Sequence, residues 1–173
     1  VRVVPSGDAG SALLAALAAD ALGPARVQAV AADDEPGPTL SALDRTAALL
    51  GLGGTGGDLA PFRHLMRGRV LALARWRNAN RPAGLLGPDG PVVPEAPLAA
   101  RPAALTGLPD DAVLDPMLEA LFDRGETPAG TDPALLADLS RRLAAAEPAR
   151  RRAPPGLQVN RYPAGREPRY PLI

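Results

Sequence analysis

"VRVVPSGDAGSALLAALAADALGPARVQAV", Val1–Val30, reads as strand, loop, helix and strand, and the architecture of the chain hangs on that reading. Val1–Val4 is a short β-branched run suited to a buried strand. Ser11–Leu22 sets Leu13, Leu14 and Leu17 at core-facing helical spacing, leaves Asp20 near solvent and stops at Gly23-Pro24. Arg26–Ala32 ("RVQAVAA") is a second strand. Two strands joined through a helix run parallel, and a right-handed crossover lays Ser11–Leu22 across one face of the sheet. The loop Ser6–Gly10 then lies at the carboxyl edge, where open α/β folds bind ligands. Unpaired N–H groups at the start of the helix attract anions, a phosphate above all. Yet the loop carries Asp8 where close phosphate approach would favour a glycine.

The chain has 173 residues, enough for one domain, and is 46% apolar, so it can fill a sizeable core. Aromatic residues are only 3%, which leaves that core to aliphatic side chains. A net charge of +0 gives no electrostatic case for nucleic acid or an acidic membrane surface. No apolar run approaches a membrane span and no signal-peptide pattern is present, so a cytoplasmic protein is expected. Without cysteine there is no disulfide framework, thiol nucleophile or thiolate metal site. Lysine is absent too, which excludes lysine-amine chemistry and makes every basic side chain except His64 an arginine.

Farther along, Asp33–Pro38 is an acidic turn, and Thr39 is placed to cap a helix running to Leu50 with Leu40, Leu43 and Leu50 inward. "GLGGTGGD" (51–58) suits no regular element. Helix-compatible sequence returns in "RVLALARWRN", and a Pro/Gly-rich segment, 79–112, is expected to be largely loop. Helices are expected over Pro116–Arg124 and over Asp132–Ala146, the latter with Thr131 as cap and Pro133 in its first turn. The tail, 148–173, is basic, proline-rich and expected to be extended.

Four stretches in this order carry a resemblance: "SALLAALAADALGPARVQAV", "GGDLAPFRHLMRGRVLALARWRN", "VLDPMLEALF" and "RRRAPPGLQVNRYPAGREPRYPLI". With the Ser6–Ser11 loop they resemble the ATP-pyrophosphatase (PP-loop) superfamily and, within it, NAD synthetase, over most of the chain. The resemblance implies a single NAD synthetase-like domain, 1–173. Its fold would be α/β: a three-layer parallel sheet with helices on both faces, of the adenine-nucleotide α-hydrolase type, shortened in the middle. It implies ATP and magnesium as cofactors, and the amidation of deamido-NAD through an acyl adenylate. In glutamine-using members the domain sits beside an amidase-type glutaminase, so such a domain or chain is an expected partner. A homo-oligomer is another. The start at Val1, without an initiator methionine, then reads as the C-terminal part of something larger.

The departures from the family pattern fall on the chemistry. Its loop, Ser-Gly-Gly-x-Asp-Ser, is here Ser6-Gly7-Asp8-Ala9-Gly10-Ser11, so the second glycine has become Asp8 and the aspartate Gly10. The Lys-Thr pair falls on Arg67-Gly68. The magnesium-holding glutamate segment and the substrate-closing loop have no counterpart. Ser6, Gly7, Asp8, Gly10 and Ser11 are therefore a remnant nucleotide loop, or else an ordinary βα turn in which Ser11 caps the helix; Asp8 itself reads as a displaced metal ligand or, far more commonly for such an acid, an exposed loop residue. Asp58 is a substrate-pocket candidate or a turn acid; Arg67 is a phosphate partner or a solvated helix residue. His64, the sole histidine, reads as a surface or helix-edge residue rather than a metal ligand, Trp76 as a packing anchor, and Arg150–Arg152 as a solvated run. No catalytic residue is assigned. The expected function is a degenerate NAD synthetase-like domain with little or no synthetase activity and a scaffold role. The rivals are a ligase completed by another chain and a nucleotide-sensing module.

Overall fold

The computed structural model describes residues 1–30, 39–52 and 56–157. The acidic turn expected at 33–38, the end of the expected second strand, the middle of the glycine-rich stretch and the tail beyond 157 lie outside the described residues.

The chain folds as an α/β protein around a small parallel sheet. Strand β1 (Arg2–Val3) lies between β2 (Gln28–Ala29) and β3 (Thr39–Leu40) and is parallel to both. Arg2 stands level with Gln28 and Thr39, and Val3 with Ala29 and Leu40. The expected parallel pairing of the first two strands is present. The second is shorter than expected, because Pro24–Arg26 forms a 3-10 turn before it.

Helix α1 (Ala9–Leu22) joins these strands, and Leu13 and Leu14 are buried against Val3. Leu17 is partly buried on the same core, which α3 (Arg67–Ala79) completes with Val70 and Ala74. Asp20 corrects the expectation that it stays near solvent: it is 3% exposed. Arg77 of α3, 1% exposed, grips it with Nε 2.6 Å from Oδ2 and Nη2 2.9 Å from Oδ1. Helical spacing predicts which face is apolar, but not that α3 and the loop after it cover the other face as well.

That loop ties on where the Leu86 N–H donates to the Asp20 carbonyl at 2.8 Å. A Cβ at the neighbouring Gly87 would lie 2.1 Å from Asp20 Oδ1 and 3.0 Å from its backbone nitrogen. The carboxylate is held by Arg77 and the backbone of α1 cannot swing aside. Gly87→Ala is therefore expected to destabilise the fold by about 1–3 kcal/mol. A urea midpoint equal to that of the native chain would contradict this.

The helix expected over Thr39–Leu50 is two elements. Thr39–Leu40 pairs with β1, and α2 spans only Arg45–Leu50. Its cap is Asp44, not Thr39: Oδ1 accepts the Ala47 N–H at 2.8 Å. The Pro/Gly-rich segment is mostly loop but contains α4 (Glu95–Ala99) and a 3-10 turn at Ala103–Leu105.

Helix α5 (Asp111–Glu119) starts well before the expected Pro116 and continues into a wide turn, Ala120–Arg124. Burial of Leu114 and Leu118 outweighs the one helical hydrogen bond Pro116 cannot donate. Helix α6 (Pro133–Ala145) is capped by Asp132, which accepts the Ala134 N–H at 3.1 Å, while Thr131 bonds back to the Pro128 carbonyl. Leu49, Met66, Leu114, Leu118, Leu139 and Leu143 form the second core, between α2, α5 and α6.

The tail expected to be extended from 148 instead begins with α7 (Glu147–Arg152). Arg150 is 1% exposed, its guanidinium lies 4.9 Å from the centre of the Phe122 ring, and Nη1 donates to the Leu143 carbonyl at 2.8 Å. At Arg150 a flat cation on an aromatic face, with its stem among aliphatics, replaces the expected solvated residue, while Arg151 and Arg152 are exposed as expected. Among the described residues no helix is long and apolar enough to cross a membrane.

Candidate functional site

The strand order 2-1-3 places the first connection on one side of β1 and returns the chain to the other side for β3. Such a reversal opens a crevice between the carboxyl ends of the two strands. A cavity of about 610 Å³ lies there, within the range of small-molecule sites. The segment after β1 lines it with Ser6, Asp8 and Gly10, and the segment after β3 with Ser41 and Asp44. Asp58 and Arg67 complete the polar lining, and Leu43, Val70 and Leu105 contribute to the apolar wall.

Five of the seven candidate residues thus share one cavity: Ser6, Asp8, Gly10, Asp58 and Arg67. Gly7 and Ser11 do not. They border a smaller, mostly apolar hollow of about 210 Å³ on the other side of the loop, with Val3, Val27 and Pro94.

The loop is organised around Asp8. Gly7 at φ +76° makes the left-handed turn that brings its carboxylate back over the start of α1. Asp8 Oδ1 accepts the Ser11 N–H at 2.7 Å and Oδ2 accepts the Ser6 hydroxyl at 2.7 Å. The cap is therefore Asp8 and not Ser11, whose hydroxyl donates to the Asp8 carbonyl at 3.1 Å and accepts the Ser6 N–H at 3.2 Å. A carboxylate of the chain occupies the place at the helix N-terminus that an anion would seek. Gly10 is close to it: a Cβ there would lie 3.2 Å from Asp8 Oδ1 and 3.5 Å from the Ala42 carbonyl.

Arg67 is neither solvated nor free for a phosphate. It is 7% exposed, with Nε 3.2 Å from Asp111 Oδ2 and Nη2 donating to the Ala100 carbonyl at 2.8 Å. Behind it, Asp115 accepts the Gly68 N–H and the Thr46 hydroxyl, both at 2.8 Å, and burial raises its pKa. Gly68 allows that approach, since a Cβ would lie 2.8 Å from Asp115 Oδ2. Asp58 sits beside β3, where Leu59 makes a parallel bridge to Leu40, and its Oδ2 accepts the Thr39 N–H at 2.8 Å.

Sequence reasoning missed Asp44. It lines the cavity, and burial pushes its pKa up to about 7, against the lowering effect of the Ala47 N–H and Arg67. Asp115 and Asp8 add to the rise. The available signal was an aspartate directly before "RTAALL", which taking Thr39 as the cap obscured.

Two more expectations are corrected. His64 is buried, and burial with the Arg63 and Arg45 charges lowers its pKa. Trp76, expected to anchor packing, is 49% exposed, because α3 turns Val70, Ala74 and Arg77 inward instead. Among the described residues no group of three or more His, Cys, Asp or Glu side chains is placed to hold a metal ion. No protein-family model matches the chain, and no curated protein matches it significantly.

Proposed function

We propose that the chain is a degenerate NAD synthetase-like domain, of the three-layer adenine-nucleotide α-hydrolase type. In this reading it keeps the ligand crevice at the switch point of its sheet but not the means to bind Mg-ATP. The resemblance implies a reaction in which ATP adenylates the nicotinate carboxylate of deamido-NAD and ammonia displaces AMP. That reaction develops negative charge on a departing pyrophosphate, so it needs N–H groups and cations aimed into the crevice. The observation that carries the reading is the Asp8 carboxylate bound to the Ser11 N–H at 2.7 Å. It fills the anion position of the loop and sets a negative charge beside Asp44 and Asp58 in the same cavity. Arg67, the one arginine of the lining among the described residues, is already paired with Asp111. These residues do not fit a magnesium triphosphate. A scaffold role toward a partner, such as an amidase-type glutaminase domain, is consistent with this loss.

Calorimetry with Mg-ATP is expected to give no saturable binding at micromolar concentrations. A dissociation constant near 1 μM, roughly −8 kcal/mol, would overturn the reading. So would NAD and AMP formed together from deamido-NAD, ammonia and ATP above a control without protein.

A further inference from the structure

We infer that the crevice between β1 and β3 takes a small organic cation, an aliphatic amine or guanidine on an apolar stem, seated against Asp44. The inference rests on the self-capped loop of the proposed function and names the ligand class left to that cavity.

The charged groups of the lining differ in use and in burial. Both oxygens of Asp8 accept hydrogen bonds within the loop, and Asp58, which is exposed, accepts the Thr39 N–H with Oδ2. Arg67 is held by Asp111 and the Ala100 carbonyl. Asp44 uses only Oδ1, on the Ala47 N–H; among the described residues no hydrogen bond or ion pair is made to Oδ2. That oxygen belongs to a partly buried side chain whose cavity neighbours include Leu43, Val70 and Leu105. An ionised carboxylate in such a place is costly without a partner, and a donor carrying positive charge is the partner that restores most. The apolar wall suits a hydrocarbon stem. The volume, about 610 Å³, has room for a ligand of several carbons and two polar ends.

The charges facing Asp44 set the sign of the pH dependence. Arg67 of α3 favours its ionised form, while Asp115 of α5 and Asp8 of the loop before α1 oppose it. Its pKa stands at about 7, so the acid is largely protonated at pH 6 and largely ionised at pH 8. A cation binds the ionised form, so its affinity rises with pH and falls about tenfold from pH 8 to pH 6.

The probe is agmatine, which keeps both positive charges at these pH values, titrated into the full chain in about 0.15 M salt to screen surface binding. Saturable binding is expected at pH 8, about tenfold weaker at pH 6. Asp44→Asn should weaken binding at pH 8 at least tenfold and remove the pH dependence. Asparagine caps a helix as well as aspartate does, so the variant keeps α2. Absence of saturable binding by the native chain at pH 8, or native affinity in Asp44→Asn, overturns the inference. Binding of neither agmatine nor Mg-ATP would defeat the cation site alone; micromolar Mg-ATP binding would defeat the self-capped loop on which it rests.

Discussion

Arg77→Ala is expected to lower the unfolding free energy by about 3–5 kcal/mol, the cost of stranding a buried charge. The guanidinium makes two hydrogen bonds to Asp20 and a third, at 2.9 Å, to the Pro88 carbonyl. Both members of the pair are almost wholly buried, at 1% and 3% side-chain exposure. Alanine leaves the Asp20 carboxylate without its counter-charge and opens a void between α1 and α3. Arg77→Lys should recover only part of the loss, because a single ammonium cannot span both carboxylate oxygens. The double change Arg77→Met, Asp20→Leu should cost less than Arg77→Ala alone, since it removes both charges and keeps the volume. Urea unfolding followed by circular dichroism measures all three. A loss below about 1 kcal/mol for Arg77→Ala would place the pair in the class of solvent-screened surface bridges.

Asp44→Asn should raise stability at pH 8, by up to about 4 kcal/mol. In the unfolded chain Asp44 ionises near its ordinary 3.8, whereas in the fold it holds its proton up to about 7. Between those values the native state binds more protons than the unfolded state. The stability due to the protonated acid is therefore complete below about pH 4 and is lost as the pH rises to 7. Asparagine cannot ionise and still accepts the Ala47 N–H. The variant and native curves should meet near pH 4 and separate toward pH 8, with water at the partly buried side chain reducing the gap. Parallel curves across that range would show that Asp44 ionises without penalty. A carboxylate kept at such a cost on a cavity wall is a common mark of a binding site.

The strand-loop-helix-strand start was legible because its signals are local. A β-branched run, leucines at helical spacing and a Gly-Pro stop act within a few residues of one another, and the parallel pairing follows from the crossover. The Ser6–Gly10 loop was legible for the same reason, as was the acid at position 8. That the acid turns back onto the Ser11 N–H was not, since it depends on the left-handed turn at Gly7. Thr39 shows how a local signal is overruled. As a helix cap it competes with pairing to β1, and Asp44 supplies the cap five residues on, in sequence order.

The charged residues divide the two sources most sharply. Asp20, Arg67, Arg77 and Arg150 look alike in sequence, as polar residues on helices or in a basic tail, and each is buried. Arg77 finds Asp20 at a separation of 57 residues, Arg67 finds Asp111 across to another helix, and Arg150 finds Phe122 from beyond α6. A leucine is drawn inward by its own contact with water, so its spacing announces the buried face. An ionised side chain is tolerated inside only where a partner from elsewhere in the chain meets it, and that meeting exists only once the helices have packed.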